Sequence, residues 1–277
     1  MQCSVIFSTY NQPEWLRKTL LGFAAQDRHD FEVVVADDGS RDETRELLEG
    51  LRPSLPFQLQ HVWQADEGFQ KCRILNKAIR ASRSDYLLFT DGDCIPRRDF
   101  VSSHLRLREP GRFLSGGYFK LPMSISKAIS ADDIAAGRCF ELAWLRSQGL
   151  PWAARNVKLA AQGKLADCLD LVVTARASWN GHNASGWKQD LVAANGFDER
   201  MGYGGEDREL GERLENHGVR GKQVRHRAVC LHLDHARGYK TTASVQANLA
   251  IRAETRSRKT VWTPHGIKKA KEPPSDS

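Results

Sequence analysis

Apolar residues in this chain fall into short unbroken runs separated by stretches with helical spacing. Cys3-Ser4-Val5-Ile6-Phe7, Phe31-Glu32-Val33-Val34-Val35-Ala36 and Tyr86-Leu87-Leu88-Phe89 are continuous runs that end at turn residues. Such runs mark strands buried on both faces, the usual state of a central parallel strand. Phe57, Leu59 and His61 alternate, which predicts a further strand over 57–63. Between the runs, Trp15, Leu16, Leu20 and Phe23 form a core-facing helical stripe, and so do Leu47, Leu48 and Leu51, then Ile74, Leu75, Ala78 and Ile79. Asn11 with Glu14, and Ser40 with Glu43, are spaced as capping boxes, and Pro13 suits a first helical turn. Strand and helix in alternation predict an α/β fold, with a Rossmann-like, mostly parallel central sheet flanked by helices.

Later elements are less regular. Phe113 to Pro122 reads as a strand bent at Gly116-Gly117. Residues 124–165 read as mostly helical, carry Trp144 and Trp152 among basic positions, and could lie over a cleft as a lid. Ala228 to His235 reads as a last short strand.

Composition narrows the class. At 277 residues the chain is long enough for one large α/β domain or a domain with an appendage. No run of eighteen apolar residues occurs, so no membrane-spanning helix is expected, and the N-terminus lacks the basic start of a secretory leader. Cys3, Cys72, Cys94, Cys139, Cys168 and Cys230 form no Cys-x-x-Cys pair, which argues against a zinc knuckle or disulfide framework and for a reducing, cytoplasmic setting. The net charge of +7 gathers between Arg220 and Lys271. Such a stretch suits an anionic lipid surface, an acidic substrate or nucleic acid, or is a solvated tail. No nucleic-acid-reading motif accompanies it, so no nucleic-acid partner is expected.

Candidate chemistry lies at the ends of the apolar runs. There is no Gly-x-Gly-x-x-Gly after the first run and no Walker loop. Carboxylates stand there instead, in Asp37-Asp38-Gly39-Ser40 and Asp91-Gly92-Asp93. Open α/β sheets bind ligands outside the carboxyl ends of their strands. Asp91 and Asp93 are hard oxygen ligands able to hold a divalent cation, and Gly92 lets the backbone approach a bound group; alone, the triplet also suits an acidic turn. Lys71 and Arg73 either face a phosphate or sugar or belong to a solvated helix face. Gly202-Tyr203-Gly204-Gly205 is a bendable loop that delivers Glu206 and Asp207 to the first turn of a helix. Acids there either complement the helix dipole or supply a general base. His232 and His235 stand three apart, and an imidazole can complete an oxygen-rich shell for Mn²⁺.

Ser8-Thr9-Tyr10-Asn11, Ala36-Asp37-Asp38-Gly39-Ser40 and Asp91-Gly92-Asp93, in that order, resemble the nucleotide-sugar motifs of the family-2 glycosyltransferases of the GT-A fold. Gly202 to Asp207 is similar to the Gly-Trp-Gly-Gly-Glu-Asp segment of the β-1,4-galactosyltransferases, with Tyr203 in place of Trp. The resemblance covers Ser4 to about His235. It implies an inverting, metal-dependent transferase that uses a UDP-sugar and Mn²⁺ or Mg²⁺ and acts on a glycan or lipid-linked acceptor. A sugar nucleotidyltransferase or a non-catalytic glycan-binding relative is the alternative. Thr9, Tyr10, Asn11 and Asp38 would hold uracil and ribose, with Gly92 beside them. Asp91 would touch ribose or metal, Asp93 would be the firmer ligand, and His235, followed by Ala236-Arg237, fits a further ligand better than His232. Asp207 would be the base and Glu206 an acceptor contact, with Trp187, Tyr203 and Gly205 on the acceptor side. The expected layout is a nucleotide-sugar half over 1–120, an acceptor and catalytic half over 121–240, and a basic tail over 241–277 that reaches an anionic membrane.

Overall fold

The computed structural model describes residues 1–236 and 241–269. Arg237 and the Pro/Ser-rich end of the basic stretch lie outside the described residues. Three buried strands, β1 (Cys3–Thr9), β2 (Phe31–Asp37) and β4 (Tyr86–Asp91), and the half-exposed edge strand β3 (Gln58–Trp63) pair in parallel in the order β3-β2-β1-β4. They are crossed by α1 (Pro13–Ala24), α2 (Asp42–Leu51) and α3 (Lys71–Ala81). The register sets Ser8 beside Asp91 and Thr9 beside Asp37, so the three strand-end motifs share one edge of the sheet.

Beyond β4 the sheet is mixed. Its remaining strands are β5 (Cys94–Pro96), β6 (Arg112–Lys120), β7 (Ala184–Trp187) and β8 (Arg220–His232), and the full order is β3-β2-β1-β4-β7-β6-β8-β5. β7 runs antiparallel to both β4 and β6, and β8 is parallel to β6 but antiparallel to β5. The expected glycine bend is an irregularity between Gly116 and Gly117. A Cβ on Gly117 would stand 2.1 Å from the Arg225 carbonyl oxygen, so only glycine fits there. The last strand starts at Arg220, eight residues before the apolar run at Ala228, because its polar first half is held by pairing to β6.

Helices flank the sheet: α4 (Phe100–Leu107), the short α5 (Met123–Ala128), α6 (Ala131–Ala136), α7 (Leu142–Ser147) and α8 (Val157–Ala160), then α9 (Gly163–Val172) and α10 (Lys188–Ala193). Two more close the structure, α11 (Glu206–Asn216) and α12 (Thr242–Ser257). Phe7, Leu16, Phe23, Val33 and Phe100 fill one side of the sheet, and Ile6, Ile74, Phe89, Trp179 and Leu210 fill the other.

Three local expectations change. Neither capping box forms: the N-caps of α1 and α2 are Gln12 and Arg41. Asn11 instead takes φ 47°, its N–H donates to Ser40 Oγ at 2.8 Å, and its Oδ1 accepts from the Arg41 N–H. The two side chains that looked like separate caps thus tie the β1 and β2 ends to each other. The described part of the basic stretch is also no loose tail. α12 packs on α11: Asn248 Nδ2 donates to the Gly202 and Gly204 carbonyls, Arg252 pairs with Glu212, and Thr255 Oγ1 donates to Glu209.

Candidate active site

The carboxyl edge of β1, β2 and β4 gathers the donor-side residues. Asp38 is buried, and burial pushes its carboxyl up. Its oxygens accept from Gln64 Nε2 at 2.6 Å and from the Gln70 N–H at 2.8 Å, which fixes their direction. Thr9 is buried beside it, and the Asp38 N–H donates to the Thr9 carbonyl. Tyr10 stands half open to solvent with its hydroxyl on Asp66 at 2.8 Å. Gly92 donates its N–H to the Ser8 carbonyl, and a Cβ there would come within 3.1 Å of that carbonyl and of Thr9 Oγ1. A side chain there would fit only if β1 gave way by a few tenths of an ångström, so glycine lets the triplet's backbone lie close against β1.

Lys71 and Arg73 part company. They stand two apart on α3, hence on opposite faces. Lys71 Nζ reaches Asp91 Oδ1 at 2.9 Å, an oxygen that also accepts from Ser8 Oγ at 2.6 Å. Burial alone would lower the Lys71 ammonium, but Asp91, Asp207 and Glu206 outweigh it and hold it well above its ordinary range. Asp91 shows the converse: burial would raise it, and Lys71 and the Ser8 hydroxyl hold it well below the usual carboxylate range. Arg73 points away to an exposed ion pair with Glu67 at 2.7 Å, outside this cluster.

Asp93 faces both histidines. His235 Nε2 lies 2.9 Å from Asp93 Oδ2 and His232 Nε2 lies 3.9 Å from it, the two rings stacked at 5.6 Å. Each Nδ1 lies 2.8 Å from the carbonyl of the next residue, Leu233 or Ala236. A neutral imidazole bonded this way carries its proton on Nδ1 and presents the Nε2 lone pair. Asp93 Oδ2 thus has two imidazole nitrogens near it, and the donor atoms that all lie within 4.8 Å of one another are those of Asp93, Cys94 and His232; a carboxylate with imidazole suits Mn²⁺ or another borderline divalent cation. Cys94 also adjoins Asp93, but burial and its neighbour Cys230 push its thiol well up, so it donates to Asp93 Oδ1 at 3.5 Å as a protonated group. Both histidines remain candidates, and the geometry puts His235 nearer.

Asp207 and Glu206 open α11 after a loop whose Gly204 and Gly205 have φ 113° and 96°. Glu206 is buried and accepts from the Gly204 N–H at 2.8 Å, so it also braces that loop. The Gly181 N–H holds the Asp207 carboxylate, and a Cβ on Gly181 would meet both its oxygens at 2.8 Å. Asp207 Oδ1 is enclosed yet has no hydrogen-bond partner. Burial first, then Glu206, pushes the carboxyl up to about 7 against the pull of Lys71.

Tyr203 meets Phe69 edge-on at 6.0 Å, joining the glycine loop to the segment before α3. Gly205 lies against Arg252 of α12. Trp187 is not part of the cluster. It pairs with Tyr86 at the start of β4, roughly 16 Å along the strand from Asp91. There its indole N–H donates to the Glu109 carbonyl and its ring packs on Tyr86 at 5.1 Å, a core role. Residues that sequence reading passed over are His182 and Tyr118. Tyr118 lies 4.4 Å from His182 and 5.8 Å from His232 between ring centroids, and burial pushes His182 down to about 4, so it is neutral. A single histidine after an Asn-Gly turn carries no spacing signal.

Residues 4–114 match the family model "Glycosyl transferase family 2", and residues 177–236 match "N-terminal domain of galactosyltransferase". Over residues 4–114 the chain is thus similar to glycosyl transferase family 2. The second segment contains Gly181, Glu206, Asp207, His232 and His235, the downstream half of the cluster. Among curated relatives, the chondroitin synthase of Escherichia coli is 27% identical over 234 residues, covering 78% of this chain and 32% of that protein. The validoxylamine A glucosyltransferase of Streptomyces hygroscopicus subsp. jinggangensis is 29% identical over 233 residues, covering 78% of this chain and 52% of that one. The chain spans a third to a half of the length of these relatives. Staphylococcus aureus TarS 1–349 in complex with UDP-GlcNAc superposes with TM-score 0.60 at 17% identity, covering 91% of this chain and 64% of that one. The Pyrobaculum calidifontis mannosyltransferase PcManGT, in complex with GDP-Man and Mn²⁺, gives 0.58 at 21% identity, covering 99% and 66%. These likenesses fix the fold as GT-A. No helix among the described residues is long and apolar enough to cross a membrane.

Proposed function

We propose that this chain is an inverting, metal-dependent glycosyltransferase that moves a hexose or N-acetylhexosamine from a UDP-sugar to a glycan or glycolipid acceptor in the synthesis of a surface polysaccharide or lipopolysaccharide. The observation that carries the reading is Asp207: an enclosed carboxylate with one unpartnered oxygen, tuned to about 7, in the same electrostatic cluster as Lys71 and Asp91. Thr9, Tyr10, Asn11 and Asp38 hold the nucleoside. The Asp207 oxygen accepts the acceptor hydroxyl proton while that hydroxyl oxygen bonds to the anomeric carbon. The bond from that carbon to the diphosphate oxygen breaks in the same step, and the electron pair leaves with UDP. One base and in-line displacement give inversion. Asp93, His232 and His235 would hold the divalent cation, which supplies Lewis-acid stabilisation of the departing diphosphate. Lys71 adds fixed positive charge beside it. Tyr203 and Gly205 border the acceptor, and Glu206 orients it.

The names of the relatives support a polysaccharide setting, and the UDP-GlcNAc bound by the TarS fragment supports a UDP-sugar. A screen of UDP-sugars read out by UDP release, with Mn²⁺ and with EDTA, tests the reading. Metal-dependent release with one donor is expected. Absence of release with every donor, together with unchanged UDP affinity in Asp93→Ala, overturns it.

A further inference from the structure

The ten-residue helix α9 carries its apolar stripe on the wrong side. Leu165, Cys168, Leu169 and Val172 stand at i, i+3, i+4 and i+7 and so share a face. That face is turned outward: Leu165 is 53% exposed, Val172 72%, and the adjoining Leu171 84%. The helix buries Ala166 and the charged Asp170 instead. Asp170 is what holds it this way round, accepting from the His226 N–H at 2.9 Å and from Arg227 Nε at 2.8 Å on β8. Just upstream, Trp152 is 79% exposed with the Arg146 guanidinium over its ring, and Val157 is exposed as well.

The charge beside this face is one-sided. Residues 142–176 hold five cations, Arg146, Arg155, Lys158, Lys164 and Arg176, against two acids, Asp167 and Asp170; Arg176 is paired with Glu215, which leaves four cations beside the face. Both acids are taken by Arg227, at 3.4 and 2.8 Å, so neither offsets those cations outward. A helix with outward Leu and Val, a nearby Trp and flanking Lys and Arg has the make-up of an interfacial anchor. The surface also adjoins the cleft. Lys158 Nζ donates to the Tyr118 carbonyl at 3.0 Å, and the Tyr118 ring lies against His182 and His232.

We infer that the face formed by α9 and the Trp152–Val157 segment docks on an anionic lipid bilayer and sets the mouth of the cleft at the lipid surface. This relocates the membrane contact from the C-terminal stretch, whose helix is spent on α11, to the lid region. Only the idea that the acceptor is lipid-borne rests on the proposed function; the docking itself does not.

Acceptor-free vesicles test it. The protein is sedimented with phosphatidylcholine vesicles and with vesicles containing phosphatidylglycerol, beside the variant Leu165→Ser/Leu171→Ser/Val172→Ser and the variant Arg155→Glu/Lys164→Glu. Donor-sugar UDP release in solution is measured in parallel as the check on fold and on the reaction. Wild type is expected to bind the anionic vesicles and to lose binding as salt rises. The apolar variant is expected to bind at least about tenfold more weakly, and each charge reversal to weaken binding about fivefold or more, with UDP release unchanged. Equal vesicle binding by the apolar variant overturns the inference. So does a wild type that ignores vesicles but forms a dimer that the apolar variant dissociates, since the face is then a contact between copies. Failure of UDP release with intact vesicle binding would overturn the transferase reading alone.

Discussion

Asp207 combines two properties that conflict. In the proposed role of base it needs a pKa near the working pH, and the surroundings supply this by burying it beside Glu206. Asp207→Asn is expected to lower transfer by about 10²–10⁴-fold, with UDP affinity near wild type, measured by turnover and by calorimetric UDP titration. Loss of UDP affinity instead would remove Asp207 from the role of base. Transfer in wild type is expected to rise with pH through about 7, as the carboxylate forms. Stability moves the other way. The folded carboxyl holds its proton above the 3.8 of the free group, so the favourable contribution is complete below 3.8 and lost as pH rises through about 7. Asp207→Asn is therefore expected to unfold at higher denaturant than wild type at pH 8, by on the order of 1 kcal/mol, and to lose that advantage toward pH 4. The acids at strand ends were legible in the sequence because strand-end motifs recur in order after successive apolar runs, although each alone also suits a turn. Gly181, which cradles Asp207, and His182 beside it were not legible: their roles come from a contact across 26 residues that no local pattern records.

At the scale of elements, periodicity located the four strands of the parallel half and missed the short β5 and β7 and the polar half of β8. Pairing with β6, not side-chain pattern, makes Arg220 to Val224 a strand, and Arg225 to Ala228 fall in the break of that register. Charge misled in a similar way. The stretch after residue 240 looked like a solvated tail, yet α12 grips the loop that leads to Glu206 and Asp207: Asn248 bonds the Gly202 and Gly204 carbonyls, and Ser244 Oγ donates to the Tyr203 carbonyl at 3.2 Å. The stripe that packs is short and polar, so hydrophobic pattern could not reveal it. Asn248 is 1% exposed, and Asn248→Ala leaves two carbonyls without that donor. A loss of about 1–3 kcal/mol in chemical denaturation is expected, with turnover reduced more than UDP affinity because the loop, not the nucleoside pocket, is loosened. A variant with full turnover would separate α12 from the site. Trp187→Ala is the contrasting case. It removes a ring packed at the far end of β4, so about 3–5 kcal/mol of stability should go while the acceptor KM of the folded fraction stays unchanged.

Across the whole molecule, the sheet explains why the site is split. Its parallel strands bring Ser8, Asp38 and Asp91 to one edge, and that half reads directly from sequence. The mixed half delivers Asp93 by way of β5, the histidines from the end of β8 and Asp207 from α11, so the ligand set closes only when β5 pairs with β8, through Cys94 beside His232. Coupling between cation, nucleotide and fold follows. A ligand that binds only the folded state stabilises it by about 2.7 kcal/mol at a hundredfold excess over its Kd. At roughly 2–4 °C per kcal/mol for a chain approaching this size, UDP with Mn²⁺ together should raise Tm by about 5–10 °C. Because Asp93 and both histidines sit on elements from opposite parts of the sequence, the increment from Mn²⁺ should vanish in Asp93→Ala and in His235→Ala, while the smaller increment from UDP alone persists through Asp38 and Tyr10. His232→Ala decides between the histidines: a Tm increment kept there and lost in His235→Ala assigns the ligand to His235, whose Nε2 lies the nearer to Asp93. An Mn²⁺ increment that survives in all three variants would place the cation elsewhere and remove the diphosphate role from this edge of the sheet.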